Sequence, residues 1–589
     1  MLILHALNNK FLFIITINDL KNIISAQINY YRILSFISFL LILNEFSYSQ
    51  NKLDTISLSS ITRINYKDQF STYNLKRHIN FLASDLFEGR ATGSTGANLS
   101  AKYIADKFDE IGLMPIGHNN TFYQNIPMHS SSPIDGCDLK IFSEDNFTKL
   151  DLNKDYLLYS TGEQAYIPGE HELYFVGYGI NAMEFDYSDY FYIDVEGKIV
   201  VFIPGEPNST NEKYFDGIYP SKYSSIALKQ RTAMALGAKG SILIGNEVDF
   251  LPENSNRYLS TFAFDNVSLV YSPATNLNIL LTPESADKIF ERSGYTYSDI
   301  LKMNAENKMK SFPLQTKLSF SGKFKEKDFI SQNIVGMIPG NDEKMKDSYI
   351  IVSAHYDHLG IGPAIAGDSI YNGCLDNAIG CAGLIEIANY LKKSSTQLKR
   401  SVIFILTTGE EKGLLGSIYY TDNPIFPLYK TVANINIDGL AFIDEFNSII
   451  PVGAELSSMS DFISSVANKN NLQIDAIPME FMQNSDAFMM SDQAAFAQGG
   501  IPSVLIMDGM NYKNIDIDSG KKILINYSKH LYHHPKDDLN ININYNAVKQ
   551  HLAFLTDLIV EIANSDQEPE WNSGNQYLNI RLRTRAEKR

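Results

Sequence analysis

Three patterns of hydrophobic and polar positions follow one another along the chain. From residue 74 to about 115, apolar residues recur at spacings of three and four, which is the periodicity of amphipathic helices. A glycine-rich stretch at 89–96 interrupts this periodicity and predicts a loop between two helices. From about 125 to 325, short β-branched and aromatic runs are separated by Gly, Pro and Asn. They predict a β-rich module that contains one helix and strand at 229–245.

The third pattern begins near Gln332, where apolar strands alternate with helical stretches. We predict strands at 349–353, 401–407, 431–438 and 503–507, and helices at 382–393, 457–470 and 545–563. This alternation is typical of an α/β fold around a central mixed, largely parallel sheet flanked by helices. Because ligands bind at the carboxyl ends of strands in such sheets, we expect the chemistry in the loops that follow the strands.

These patterns divide the chain into five parts. We assign a leader at 1–50, a helical N-terminal part of the main domain at 70–125, a β-rich insert at 126–328, the main α/β domain at 329–565 and a polar tail at 566–589. The helix at 545–563 is predicted to be the last one. We expect the basic tail that follows it to be mobile.

The leader has the layout of a secretory signal peptide. An apolar run at 33–43 follows Arg32 and precedes a polar stretch rich in small residues at 44–50. The segment before Arg32 is unusually long for such a signal, so either translation starts downstream of Met1 or the segment is an uncleaved anchor. We expect cleavage at 47–50, no stable membrane insertion afterwards, and export to the periplasm, cell surface or medium.

Composition narrows the classes of partner and cofactor. The chain has 589 residues, of which 44% are hydrophobic and 20% are charged, as in ordinary globular proteins. Its net charge of −17 argues against a nucleic-acid partner, because phosphate binding needs a basic surface. Three cysteines are too few for a disulfide-dense scaffold or a cysteine-rich zinc module, so a metal would have to bind histidine and carboxylate. Cys374 and Cys381 could form a disulfide or simply pack as small buried residues.

Histidine and carboxylate side chains recur just after the predicted strands. Each has an ordinary explanation when it is considered alone: a structural histidine, a helix N-cap or an acidic first turn of a helix. Together, two histidines and three carboxylates suit two borderline cations such as Zn²⁺, with one carboxylate bridging them. The candidate ligands are His355, Asp376, Glu411, Asp438 and His533, and Glu410 is left free to transfer protons.

The motifs that carry these residues resemble those of a known family. AHYDHLG, NGCLDNAIG, TTGEEKGLLGS, NIDG and YHHPKDD occur in that order. The ordered set is similar to the co-catalytic zinc aminopeptidases, whose wider family includes glutamate carboxypeptidases, glutaminyl cyclases and the non-catalytic transferrin receptors. The resemblance covers about 330–565, and HINFLASDLFEGRATGS resembles the helices that open this peptidase domain. The insert, with YFVGYGI and DYSDYFYIDVEGKIVVFIPG, is similar to a protease-associated domain.

The resemblance implies a role for each candidate residue. His355 and Asp438 would bind one zinc ion, Glu411 and His533 the other, Asp376 would bridge them, Asp357 would orient the His355 ring, Glu410 would be the general base, and Tyr532 would donate to the oxyanion. Two positions depart from the family pattern. His534 directly follows His533, so the assignment of the last ligand could be wrong by one residue. Leu375 stands where relatives often carry an acidic residue.

These expectations favour an exported dizinc aminopeptidase that removes N-terminal residues from peptides. A carboxypeptidase or dipeptidase would need a basic clamp for the substrate carboxylate, and Lys412 is the basic residue of the metal-binding loops closest to the ligands in sequence. A glutaminyl cyclase and a receptor-like binding protein on an inactive scaffold are further alternatives. Side-chain preference and oligomeric state are left open.

Overall fold

The computed structural model describes residues 66–587, apart from 160, 162–166, 212, 216, 218–220, 246–263, 273–275, 395 and 477–486. The predicted signal peptide lies outside the described residues. All three cysteines are buried free thiols, so Cys374 and Cys381 are not bonded to each other. Within the described part of the chain, no helix is both long enough and apolar enough to cross a membrane.

The main domain is built on a large mixed sheet. In spatial order, its main path runs Asn266–Leu269, Tyr123–Pro133, Phe324–Ile338, Ser401–Thr407, Tyr349–His355, Thr431–Asn436, Ser503–Asp508, Ser448–Val452 and Gln473–Ile474, and Met114–Pro115 pairs with Phe324–Ile338. The four predicted strands form its centre and are mutually parallel. Antiparallel strands flank them on both sides. The predicted mixed, largely parallel centre is confirmed.

Helices cover both faces of this sheet. They are Thr72–Leu82, Thr95–Ile111, Ile379–Lys393, Leu415–Asp422, Met459–Asn470, Gln493–Gln498, Ile517–His530, Tyr545–Asn564 and Gln576–Ala586. The first two are the predicted pair, joined by a glycine-containing turn that includes the 3₁₀ segment Asp85–Arg90. The helix Ile379–Lys393 lies in the main hydrophobic core, where it packs between the sheet and Thr72–Leu82.

A second sheet with its own core lies in the β-rich region. Its strands are, in spatial order, Asn146–Leu150, Asp138–Ser143, Ser311–Ser321, Ile167–Val176, Ile199–Phe202, Gly240–Ile244, Leu277–Leu281 and Tyr156–Leu158. Helices Ile226–Ala235, Pro283–Phe290 and Tyr297–Ala305 accompany it. The strands at the two ends of the predicted insert, Tyr123–Pro133 and Phe324–Ile338, pair with each other in the large sheet. The second sheet is therefore shorter in sequence than the predicted 126–328.

The C-terminal segment differs from the expected mobile tail. It forms the additional helix Gln576–Ala586, with Trp571 and Arg581 almost fully buried against the main domain. The Trp571 indole donates to the Gly500 carbonyl, and the Arg581 guanidinium donates to the Leu428 carbonyl. These contacts with distant residues order a segment whose local composition is polar.

Candidate active site

Three strands of the parallel centre deliver side chains to one edge of the sheet. His355 ends the strand Tyr349–His355, and Asp438 lies two residues beyond Thr431–Asn436. Glu410 and Glu411 follow the strand Ser401–Thr407 in a short 3₁₀ turn. Because these strands are parallel, their carboxyl ends meet at the same edge, as in other open α/β sheets.

The bridging candidate, Asp376, comes from a loop that other segments hold in place. The backbone N–H groups of Leu375 and Asp376 donate to the Asp537 carboxylate at 2.9 and 3.1 Å. The buried Arg90 guanidinium donates to the carbonyls of Tyr356 and Gly373, at 2.8 and 2.9 Å. Arg90 therefore joins the loop after His355 to the loop before Asp376.

The two carboxylate oxygens of Asp376 face two different histidines. Oδ1 lies 3.3 Å from His355 Nε2, which is also 3.1 Å from Asp438 Oδ1. Oδ2 lies 3.3 Å from His533 Nε2, which is also 3.2 Å from Glu411 Oε2. The five predicted ligands therefore form two donor groups that share Asp376.

These donor groups fit two zinc ions. Zinc binds imidazole nitrogen and carboxylate oxygen at about 2.0–2.2 Å in tetrahedral sites, so its ligand atoms lie roughly 3.3 Å apart. The separations of 3.1 to 3.3 Å match this spacing. The surroundings also favour positive charge. Burial opposes protonation of His355, but Asp438, Glu410 and Asp376 outweigh it and raise the pKa of His355 well above its ordinary value.

Asp357 contacts His355 through its main chain. His355 Nδ1 lies 3.1 Å from the Asp357 carbonyl oxygen and 4.0 Å from the carboxylate. The carboxylate accepts hydrogen bonds from Thr92 Oγ1 at 2.9 Å and from the Glu410 N–H at 3.2 Å. Burial raises the pKa of Asp357 to about 6. Asp357 thus contacts His355 through its carbonyl group and the turn that carries Glu410 through its carboxylate.

Glu410 and Tyr532 line the same cavity as four of the five donors. Burial, together with the charges of Asp438 and Glu411, raises the pKa of Glu410 well above its ordinary value. A carboxyl group with a raised pKa is suited to accept and return a proton near neutral pH. The Tyr532 ring stacks on His533, with centroids 3.9 Å apart.

The structure places His533, and not His534, at the donor groups. His534 Nδ1 accepts a hydrogen bond from the Lys536 N–H at 3.0 Å within the loop. The sequence interpretation assigned no role to Arg90, Asp537 or His358. Arg90 and Asp537 hold the loops described above, and His358 Nδ1 lies 2.6 Å from Glu411 Oε1. All three lie inside the quoted motifs, but their contacts join residues far apart in sequence.

The cavity over the donors has a volume of about 240 Å³ and is lined by both acidic and apolar side chains. The apolar lining residues include Leu414, Met489, Met490, Leu505 and Met507. None of the described residues that line it is lysine or arginine. The Lys412 ammonium group lies 5.5 Å from the centre of the Phe264 ring. Phe264 falls within the predicted insert in sequence, next to the strand Asn266–Leu269 of the large sheet.

Comparison with known proteins shows what the main domain is similar to. The chain is 25% identical over 241 residues to the aminopeptidase YwaD of Bacillus subtilis. The alignment covers 41% of this chain and 46% of the relative. It is 31% identical over 86 residues to a vacuolar membrane protease of Verticillium alfalfae, in an alignment that covers 15% of this chain and 8% of the relative. The chain thus spans less than half the length of these relatives.

The comparison with solved structures includes an aminopeptidase from Aneurinibacillus sp. strain AM-1. Its sequence identity is 18% and its TM-score 0.48, and the alignment covers 84% of this chain and 94% of the other. The sequence model described as peptidase family M28 matches residues 333–559, the segment that carries the five donor residues and Glu410. Residues 333–559 of this chain are therefore similar to peptidase family M28.

Proposed function

We propose that the protein is a zinc-dependent aminopeptidase that removes N-terminal residues from peptides. The observation that carries this proposal is the pair of donor groups that share Asp376 at the floor of a cavity lined by Glu410. His355, Asp376 and Asp438 would hold one ion, and Asp376, Glu411 and His533 the other. Zinc held there supplies a Lewis acid for a peptide carbonyl and lowers the pKa of water toward neutrality.

The side chains around the donors support the remaining steps. Glu410 accepts the proton of the attacking water and returns it to the leaving amine, a role that suits its raised pKa. Tyr532 lines the cavity and stacks on His533, so its hydroxyl is the proposed donor to the developing oxyanion. Asp357 keeps His355 and the Glu410 turn in register through the hydrogen bonds described above.

The lining of the cavity favours an aminopeptidase over a carboxypeptidase. None of the described residues that line it is lysine or arginine, so none of them offers the basic clamp that a C-terminal carboxylate would need. Lys412, the basic residue considered as a carboxylate clamp, lies beside Phe264 and is not among the lining residues. The apolar side chains in the lining fit an N-terminal residue with an apolar side chain.

We further propose that the β-rich insert is a protease-associated type of domain that restricts access to the cavity. Phe264, next to the strand Asn266–Leu269, lies against Lys412, the neighbour of Glu411. The Tyr271 hydroxyl donates to Asp422 at 2.8 Å at the end of the helix Leu415–Asp422. Phe264→Ala should broaden the range of peptide lengths that are cleaved, and unchanged length preference would contradict this role.

The central test is a set of peptides with free and N-acetylated termini, assayed with and without a chelator and combined with zinc analysis. We expect chelator-sensitive cleavage of free N-termini only, with two zinc ions per chain. Cleavage of N-acetylated peptides from the other end would indicate a carboxypeptidase. Conversion of N-terminal glutamine to pyroglutamate would indicate a cyclase, and zinc-free, inactive protein would indicate a binding protein.

We also propose that the protein is exported, because the apolar run at 33–43 and the polar stretch after it have the layout of a signal peptide. Cell fractionation and N-terminal sequencing of the native protein test this. We expect the mature chain outside the cytoplasm, with an N-terminus at 47–51. Full-length protein in the cytoplasm would contradict export.

A further inference from the structure

His358 is a fully buried side chain beside the second donor group. It lies three residues beyond His355, and its backbone N–H donates to the Arg90 carbonyl at 3.2 Å. The ring rests on Gly373, where a Cβ would come within 2.6 Å of two ring atoms. Gly373 also has a positive φ of 60°. The loop before Asp376 is therefore shaped to leave room for this imidazole.

One ring nitrogen of His358 has a specific partner. Nδ1 lies 2.6 Å from Glu411 Oε1 and 3.8 Å from Asp376 Oδ2. A carboxylate that binds a metal ion is ionised and only accepts hydrogen bonds. At this distance His358 Nδ1–H is therefore the donor of a short, charge-assisted hydrogen bond to Glu411.

This contact divides the two oxygens of Glu411 between two histidines. Oε1 faces His358 Nδ1, and Oε2 faces His533 Nε2 at 3.2 Å. Without a partner for Oε1, the carboxylate could rotate and lose the orientation that places Oε2 in the donor group. Ligating carboxylates are commonly held by hydrogen bonds of this kind, which lower the entropy lost when the metal binds.

We propose that His358 is a positioning residue for Glu411 and so determines the affinity of the second metal site. This inference rests on the proposed function, since it concerns one of the two ions of the proposed enzyme. A competing role follows from distance alone, because His358, Asp376 and Glu411 also form a group of donor atoms close enough to hold an ion. In that role His358 would be a direct ligand, and its effect would not depend on Glu411.

Two substitutions of His358 distinguish the effect of its Nδ1–H hydrogen-bond donor from the effect of the volume of its ring. The amide nitrogen of His358→Asn lies close to the position of Nδ1, whereas the amide of His358→Gln extends toward the position of Nε2. Both variants are polar and uncharged. Zinc stoichiometry and affinity are measured for each by competition with a chromophoric chelator. The same variants are also made with Glu411→Ala, and melting temperatures of the zinc-free proteins serve as the folding control.

We expect wild type to bind two ions, and His358→Gln to bind one of them roughly 10- to 100-fold more weakly. His358→Asn should remain within about 3-fold of wild type, because it restores a donor to Glu411. With Glu411→Ala, His358→Gln should cause no further loss. If His358→Gln lowers the melting temperature, His358→Ala replaces it as the variant without a donor, with the same expected loss.

Three results would overturn the inference while the proposed function stands: unchanged affinity in His358→Gln, equal losses in the Asn and Gln variants, or a further loss from His358→Gln with Glu411→Ala. The last of these would make His358 a ligand. Wild-type protein that binds no zinc would overturn the proposed function and this inference together. Zinc content of the wild type therefore distinguishes the two failures.

Discussion

Replacing Arg90 by lysine tests how strongly the loops of the metal site depend on one buried side chain. The guanidinium makes four hydrogen bonds to backbone carbonyls, at 2.8 Å to Tyr356, 2.8 Å to Leu82, 2.5 Å to Asn372 and 2.9 Å to Gly373. Arginine presents five donors in a planar fork, whereas lysine presents three donors at one point. Lysine keeps the charge but cannot reach carbonyls on three separate segments.

The expected cost follows from the bonds that are lost. We assume that lysine keeps about two of the four bonds. Each lost bond to a charged donor is worth about 1.5–3 kcal/mol, so Arg90→Lys should lower the free energy of unfolding by about 3–6 kcal/mol. That is a large share of the roughly 5–15 kcal/mol that stabilises a typical protein. Because the bonds join the loops of His355 and Asp376, zinc affinity should fall as well.

Urea unfolding of the zinc-free protein measures the stability change, and chelator competition measures zinc affinity. Arg77→Lys is the matched control, because Arg77 is an exposed arginine on the helix Thr72–Leu82 of the same segment. It should change the free energy of unfolding by less than about 0.5 kcal/mol. If Arg90→Lys were as stable as Arg77→Lys, the four carbonyls would have other donors and Arg90 would not hold these loops together.

Three further predictions concern the site and its support. Glu410→Gln should keep both zinc ions and lower kcat by about 10²- to 10⁴-fold, and a normal kcat with bound zinc would remove Glu410 as the general base. Asp438→Ala should reduce zinc from two ions to one in metal analysis, and retention of both would contradict its role as a ligand. Burial lowers the pKa of His551 to about 4, from an ordinary value near 6.5, so below pH 6.5 the unfolded chain takes up a proton that the folded chain does not. The free energy of unfolding should therefore fall by up to about 3 kcal/mol between pH 6.5 and 4. His551→Asn should remove that part of the pH dependence, and an unchanged pH profile in urea unfolding would disprove it.

The sequence by itself determined the main domain and the donors. Three central strands have six or seven buried residues each, and Ser503–Asp508 begins with four; that local pattern persists whatever surrounds it. His355, Asp376, Glu411, Asp438 and His533 follow strands or open loops in an ordered set of motifs. Parallel pairing of the strands then requires the strand-end residues to meet at one edge.

Only the tertiary structure decided which side chains support those donors. Arg90 binds carbonyls 266 and 282 residues away in sequence, and Asp537 binds backbone N–H groups 161 and 162 residues away. No local pattern encodes such pairs. In the sequence, His358 is one more histidine in a motif. Only the folded chain brings Glu411 within 2.6 Å of it.

The C-terminal helix illustrates the same physical limit. The segment 566–589 is polar by composition, and polar and charged residues are on average exposed to water. Composition alone therefore predicts an exposed segment. Arg581 is nevertheless fully buried, and one nitrogen of its guanidinium donates to the Leu428 carbonyl. Hydrogen bonds between distant segments offset part of the cost of burying polar groups, and those partners exist only once the chain has folded.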